Sequence, residues 1–148
     1  MKKVLVMCTV VLFMGIFQAA YGAEKVVIAS PDAPKAIGPY SQAIQYGDIV
    51  FLSGQIPIDP KTNTVLKGTI EEQTKLVLEN LKAVITASGM TMKNVLKTSC
   101  FLKNMDDFPK FNAVYATFFT ENPPARETVE VARLPRDVLV EISCIIGK

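Results

Sequence analysis

The chain has no histidine. That excludes imidazole bases, serine–histidine triads and histidine metal sites in one step. Its three cysteines form no Cys-x-x-Cys pair and no metal-ligand cluster. Excess charge of one sign is missing too. Lys and Arg number 16 against 14 Asp and Glu, and two of those lysines are Lys2 and Lys3, so the rest of the chain is formally neutral. A nucleic-acid binder carries a basic footprint, and none is visible, so no nucleic-acid partner is expected. There is also no internal repeat, low-complexity tract or linker. The 148 residues suit one domain with a hydrophobic core.

What is present begins with a leader. Lys2-Lys3 is a positive start, and Val4 to Phe17 is an apolar run broken only by Thr9 and Gly15. Ala20-Tyr21-Gly22 then sets small residues where a signal peptidase needs them for a cut before Ala23. This is the layout of a secretory signal peptide over residues 1–22. The run is short for a transmembrane helix, which needs ~20 apolar residues. The expectation is an exported protein, periplasmic or secreted, with a single domain over residues 23–148 and no lasting membrane anchor. Removal of the leader leaves Cys100 and Cys144. Export permits a disulfide between them, but buried free cysteine is common, and two buried thiols are the expected state.

The remaining pattern alternates strands and helices. Lys25–Ala29 reads as a first strand and Ser41–Tyr46 as a second, with a turn at Gly47-Asp48. Ile49–Ser53 follows as a near-continuous apolar strand, the pattern of burial on both faces. Thr69 and Glu72 have capping-box spacing. Ile70, Val77, Leu81, Val84 and Ile85 then recur at helical spacing up to the stop at Gly89, predicting a helix over Ile70–Ser88. Val95–Leu102 reads as a strand with Leu96, Thr98, Cys100 and Leu102 on one face. Asp106 or Asp107 should cap a second helix, whose stripe is Phe108, Phe111, Tyr115, Phe118 and Phe119. Arg126–Arg133 and Val138–Ile146 are the last strands, with Cys144 on the face of Val140, Ile142 and Ile146. This order predicts an α+β fold, one sheet with both helices on a single face. Two helices cover only that face, so a second subunit is the economical cover for the other.

The segment Pro123-Pro124-Ala125-Arg126-Glu127-Thr128-Val129 is the most informative. Two prolines end what precedes them, and Arg126 then stands at a strand entrance, where a side chain can be aimed into a cleft. Its planar fork suits a small carboxylate through two parallel charge-assisted hydrogen bonds. On this segment alone an ordinary surface ion pair is the commoner outcome. Glu141 is an isolated acid within Leu139-Val140-Glu141-Ile142. Alternation allows it to face solvent, but burial beside a cleft would raise its pKa as a general base requires. Tyr40 follows Gly38-Pro39 on a loop, as a hydroxyl for a site or as a packing ring. Ser53 ends an apolar strand next to Gly54, where backbone can approach a ligand. Asn112 lies inside the second helix, where a local structural hydrogen bond is the simpler role.

Gly38-Pro39-Tyr40-Ser41-Gln42-Ala43, Ser53-Gly54-Gln55-Ile56-Pro57, Asn112-Ala113-Val114-Tyr115, Pro124-Ala125-Arg126 and Val129-Glu130-Val131-Ala132-Arg133-Leu134-Pro135 occur in that order. Together they closely resemble the RidA family (YjgF/YER057c/UK114), the reactive-intermediate imine/enamine deaminases. The resemblance runs from about Val26 to the C-terminus. It implies a chorismate-mutase-like mixed sheet and a homotrimer with three clefts between subunits. It also implies hydrolysis of 2-imino and 2-enamino acids to 2-keto acids and ammonia, with no metal and no cofactor. Tyr40, Ser53, Asn112, Arg126, Thr128 and Glu141 would line the cleft. Arg126, Glu141 and Tyr40 would serve catalysis, Arg126 would hold the carboxylate, and Thr128 would act mainly through its backbone. Two features depart from the family pattern. Ser143 stands where many relatives have a second glutamate, and the leader would separate this protein from the cytosolic pool of such imines. The rival readings are a non-enzymatic carboxylate-binding module with the same cleft, a ribonuclease or translation inhibitor as attributed to some relatives, and a holdase using exposed apolar surface.

Overall fold

The computed structural model describes residues 24–148, and the leader expected over residues 1–22 lies outside them. Six strands form one sheet: β1 (Lys25–Ile28), β2 (Ala43–Tyr46), β3 (Ile49–Gln55), β4 (Val95–Leu102), β5 (Ala125–Glu130) and β6 (Val140–Gly147). Their spatial order is β1-β2-β3-β6-β4-β5. All neighbours are antiparallel except β4 and β5, which run parallel. That mixture follows from the connections. Short turns return the chain antiparallel, whereas the helix between β4 and β5 carries it back to start the next strand in the same direction.

The first helix, α1 (Ile70–Ala87), forms where its sequence predicts. Thr69 Oγ1 accepts from Glu72 N–H at 3.3 Å, and the Glu72 carboxylate accepts from Thr69 N–H at 2.8 Å. Ser88 caps the other end, and Gly89 adopts φ +78 just beyond it. Thr69→Ala should therefore cost about 1 kcal/mol, read as a lower urea midpoint with an unchanged m-value. The second helix, α2 (Phe108–Phe118), is capped differently from expectation. Neither Asp106 nor Asp107 caps it with a side chain. Instead Asn104 accepts from Asp106 N–H at 2.9 Å and starts a short 3₁₀ turn, Met105–Asp107, that leads into α2.

Both helices pack on one face, as the alternation implies. The core gathers Val77, Leu78, Leu81, Val84 and Ile85 of α1 and Phe111 and Tyr115 of α2 against Val50, Cys100, Leu102, Val140, Ile142 and Ile146. The Tyr115 hydroxyl shares a 2.7 Å hydrogen bond with Thr98 Oγ1, which joins α2 to β4. The opposite face is open in the single chain. The expectation that β3 is buried on both faces is corrected here: Val50 and Leu52 are buried, but Phe51 on the other side is 49% exposed. An apolar run does not reveal whether the cover comes from the same chain. A second correction lies at the start of β4. An irregularity between Val95 and Lys97 turns Val95 inward and leaves Leu96 52% exposed, so Leu96 does not share the face of Cys100.

Strand ends also move. β5 stops at Glu130 rather than Arg133, with Val131 N–H making a last bond to Leu102 O at 3.0 Å. β6 starts at Val140 after a 3₁₀ turn, Pro135–Asp137, in which Arg136 and Asp137 both take positive φ. That turn falls between Arg133 and Val138, in the gap that the sequence leaves between the two strands. No helix among the described residues is long and apolar enough to cross a membrane.

Cys100 and Cys144 both point at the helices, and both are buried free thiols. β6 lies beside β4, with Thr98 opposite Cys144 and Cys100 opposite Ile142, so the cysteines are diagonal rather than paired. Burial pushes the Cys100 thiol up to about 11 and the Cys144 thiol up to about 12. Since the thiolate is the reactive form, neither should react with an aromatic disulfide reagent at pH 8 in the native state. Both should titrate once the domain is denatured without reductant. Prompt native reaction would contradict the burial.

Candidate active site

Glu141 sits on the open face of β6, opposite Phe101 of β4. Its neighbours Val140 and Ile142 point into the core, so the pleat alone turns the acid outward. It is half-buried there, however. It lines a cleft of about 300 Å³ together with Tyr40, Ser53, Gly54, Ile56 and Lys35. Burial alone raises its carboxyl above the usual carboxylate range. Of the six residues named from sequence, this cleft holds Tyr40, Ser53 and Glu141.

Local hydrogen bonds fix its walls. β3 continues past Ser53 to Gln55, so Ser53 is not a strand end. Leu52 pairs with Cys144 and Gln55 with Ile142, so Ser53 and Gly54 together oppose Ser143 in a β-bulge. Ser53 Oγ donates to Ser41 O at 2.7 Å, which spends its hydroxyl on the backbone of the preceding segment. The loop that carries Tyr40 is organised from beneath by Gln42. The buried Gln42 amide accepts from Ser30 N–H at 2.6 Å and donates to Pro34 O at 2.8 Å. Tyr40 stays exposed, its hydroxyl accepting from Ile37 N–H at 3.3 Å. The far wall is held by Asn80 of α1, whose buried amide donates to Ile58 O at 2.9 Å. Gln73 of α1 accepts from Leu139 N–H at 2.8 Å and so fixes the entry of the strand that carries Glu141.

Arg126 lies elsewhere. It is the second residue of β5, level with Thr98 and on the helix face of the sheet. Its guanidinium carbon stands 4.5 Å from the Tyr115 ring centroid, 5.5 Å from that of Phe108 and 5.8 Å from that of Phe111. The aromatic stripe of α2 is thus both core and a shelf for the cation. No Arg126 ion pair exists among the described residues, so the simpler expectation of a surface salt bridge does not hold. Asn112 is half-buried on α2, one turn beyond Phe108. Thr128 pairs with Cys100 in the ladder, and its Oγ1 is buried without a partner. Since β5 is the sheet edge and Val131 N–H points inward, alternation turns the Thr128 N–H outward, away from β4.

The six residues therefore fall into two groups. Tyr40, Ser53 and Glu141 share the open-face cleft, while Arg126, Asn112 and Thr128 share the edge beside α2. Glu141 is level with Phe101 and Arg126 with Thr98, with β4 between them. Two strand spacings and three residue rises separate their Cα atoms by roughly 14 Å, with the sheet itself in between. One chain does not bring the two groups onto one ligand. Among the described residues no cluster of three or more Cys, Asp or Glu side chains is placed to hold a metal ion. Sequence reasoning did not see the roles of Gln42, Gln73 and Asn80. All are buried amides whose only signal is a polar residue within an apolar periodic run, and their partners are distant in sequence.

A mixed six-stranded sheet with two helices on one face, a half-buried carboxylate in a cleft on the other and an aromatic-backed arginine near the sheet edge define a small α+β domain. The family model described as Endoribonuclease L-PSP matches residues 30–147, and the chain belongs to this family, the YjgF/RidA family. A RutC family protein of Pyrococcus horikoshii is 55% identical over 124 residues, which is 84% of this chain and 98% of that protein. A 2-iminobutanoate/2-iminopropanoate deaminase of Salmonella typhimurium is 48% identical, covering 80% of this chain and 94% of its own length. The crystal structure of E. coli TdcF with bound serine superposes with a TM-score of 0.80 at 40% identity, over 83% of this chain and 98% of that one.

Proposed function

We propose that this protein is a hydrolytic deaminase of reactive 2-imino and 2-enamino acids, working in clefts that a second copy of the chain completes. The observation that carries this reading is the division of the site. A carboxylate with a raised pKa and an aromatic-backed guanidinium free of any carboxylate lie on different faces of one chain. Each is an incomplete site, and each becomes complete if the edge of one copy meets the open face of another. The apolar open face, with Phe51, Leu96 and Val129 exposed, gives a second copy something to cover. A closed ring of three copies places such a contact three times over, and a trimer mass by light scattering is the expected result. Fully active monomer would contradict it.

The chemistry follows from the groups. Arg126 binds the substrate carboxylate through its fork and fixes the imine carbon relative to the opposing wall. Glu141 takes a proton from a water molecule as the water oxygen attacks that carbon, and the C=N electron pair moves to nitrogen. The proton returned to nitrogen gives a carbinolamine. Glu141 then passes the hydroxyl proton to the amino nitrogen, and the C–N bond breaks as the C=O bond forms, releasing ammonia and the keto acid. Imines are electrophilic already, so only a small part of the usual ~8–23 kcal/mol of barrier reduction is needed. The named deaminase among the relatives and the amino acid bound in the TdcF structure support this substrate class. The exported location remains a proposal that rests on the sequence of residues 1–22.

The test is ammonia release from 2-iminopropanoate generated in situ by an amino-acid oxidase. Catalysis above the spontaneous rate is expected. Carboxylate binding without turnover would favour the non-enzymatic binding module instead.

A further inference from the structure

We infer that Gly54 is a positioning residue that acts through Glu141: its missing side chain is the seat of the Glu141 carboxylate. A Cβ at Gly54 would fall on Glu141 Oε1 and would lie 2.9 Å from its Cδ and 3.1 Å from its Cγ. Gly54 has no positive φ, so backbone freedom is not what requires glycine there. The requirement is steric. Ser53 and Gly54 form a bulge against Ser143, and the Glu141 carboxylate of the neighbouring strand lies over Gly54. Such bulges are used beside functional sites to re-aim a side chain. The seat holds the carboxylate against the sheet and partly out of water, which accords with the burial that raises its pKa. The other titratable groups lining the cleft are Lys35 and Tyr40. Neither contributes to that shift, whose cause is burial.

The inference rests on the reading of Glu141 as the proton acceptor, but its test does not depend on that reading alone. In Gly54→Ala the methyl group displaces the carboxylate by roughly 1 Å or more, and a misplacement of that size costs about 100-fold in rate. The expected result is a fall of that order in kcat for 2-iminopropanoate. KM should change less than about 3-fold, since carboxylate binding belongs to Arg126. In a Glu141→Gln background the same substitution should cost less than about 2-fold more, because the two residues act as one unit. Carbon-detected NMR titration supplies a readout without turnover: the Glu141 carboxyl should titrate at lower pH in Gly54→Ala than in wild type. Wild-type kcat in Gly54→Ala, equal losses in both backgrounds, or an unmoved Glu141 titration overturns the inference. A wild-type protein with no deaminase activity sinks the proposed reaction, while the titration still decides the role of Gly54. If Gly54→Ala does not fold, Gly54→Ala/Glu141→Ala removes the carboxylate that the methyl would meet. Restored folding supports the seat, and continued failure overturns it.

Discussion

Glu141→Gln is expected to lower kcat by about 10²- to 10⁴-fold, the usual span for loss of a general base. Binding of a 2-keto acid product should change little, because the proposed reading gives the carboxylate to Arg126 and not to Glu141. The pH profile of the wild type should carry the same signature. A general base works in its ionised form, and burial raises the pKa of Glu141. Activity should thus fall on the acid side, with a midpoint above that of an ordinary glutamate. The stability effect has the opposite sign. A carboxyl whose pKa is raised in the folded state binds its proton more tightly there than in the unfolded chain. Stability is therefore full below the unfolded pKa and is lost as pH rises through the folded one. Glu141→Gln should melt higher than wild type at pH 7, and the advantage should vanish at low pH. Equal loss of binding and turnover, with a lower melting temperature, would make Glu141 a structural residue.

Arg126→Lys is expected to cut kcat/KM by about 10- to 100-fold, corresponding to the ~1.5–3 kcal/mol of a hydrogen bond to a charged group. Lysine keeps the charge but offers one ammonium in place of two parallel N–H donors. It also loses the flat contact with the rings of Phe108, Phe111 and Tyr115 that holds the fork in place. The folded state should survive, since β5 is an edge strand and Arg126 is only half-buried. Near-wild-type turnover in a folded lysine variant would rule out the bidentate role.

The elements most legible in the sequence are those with local signals. The capping box at Thr69 and the stop at Gly89 bound α1 almost to the residue, and β4 forms over the stretch its pattern marks. Both cysteines take the core face that alternation assigns. Signals that depend on partners were not legible. Asp107 holds the N-cap position of α2 without a side-chain bond, because a 3₁₀ turn capped by Asn104 leads into the helix. The exposure of Leu96 follows from the irregular pairing of β4 with β6, and the bulge at Ser53 and Gly54 from the register of β3 against Ser143. Register belongs to pairs of strands, and no single strand records it. The same limit applies to the site. The six residue types could be named from the motifs. Alternation places Glu141 opposite Val140 and Arg126 opposite Val129 on their own strands. It does not say that those two directions are opposite faces of one sheet, because the order β3-β6-β4-β5 is nowhere in the linear pattern.

The division of the site between copies is best tested by mixing two inactive proteins. Arg126→Ala lacks the carboxylate clamp, and Glu141→Gln lacks the base. If each cleft takes Arg126 from one copy and Glu141 from another, random hybrid assemblies contain intact clefts. At equal amounts about a quarter of the clefts should be whole, by the symmetry of a ring of identical contacts. Ammonia release from 2-iminopropanoate by the mixture should then rise to about a quarter of the wild-type rate per chain. A mixture that exchanges subunits by mass spectrometry yet stays as inactive as its two components would contradict a site built between copies.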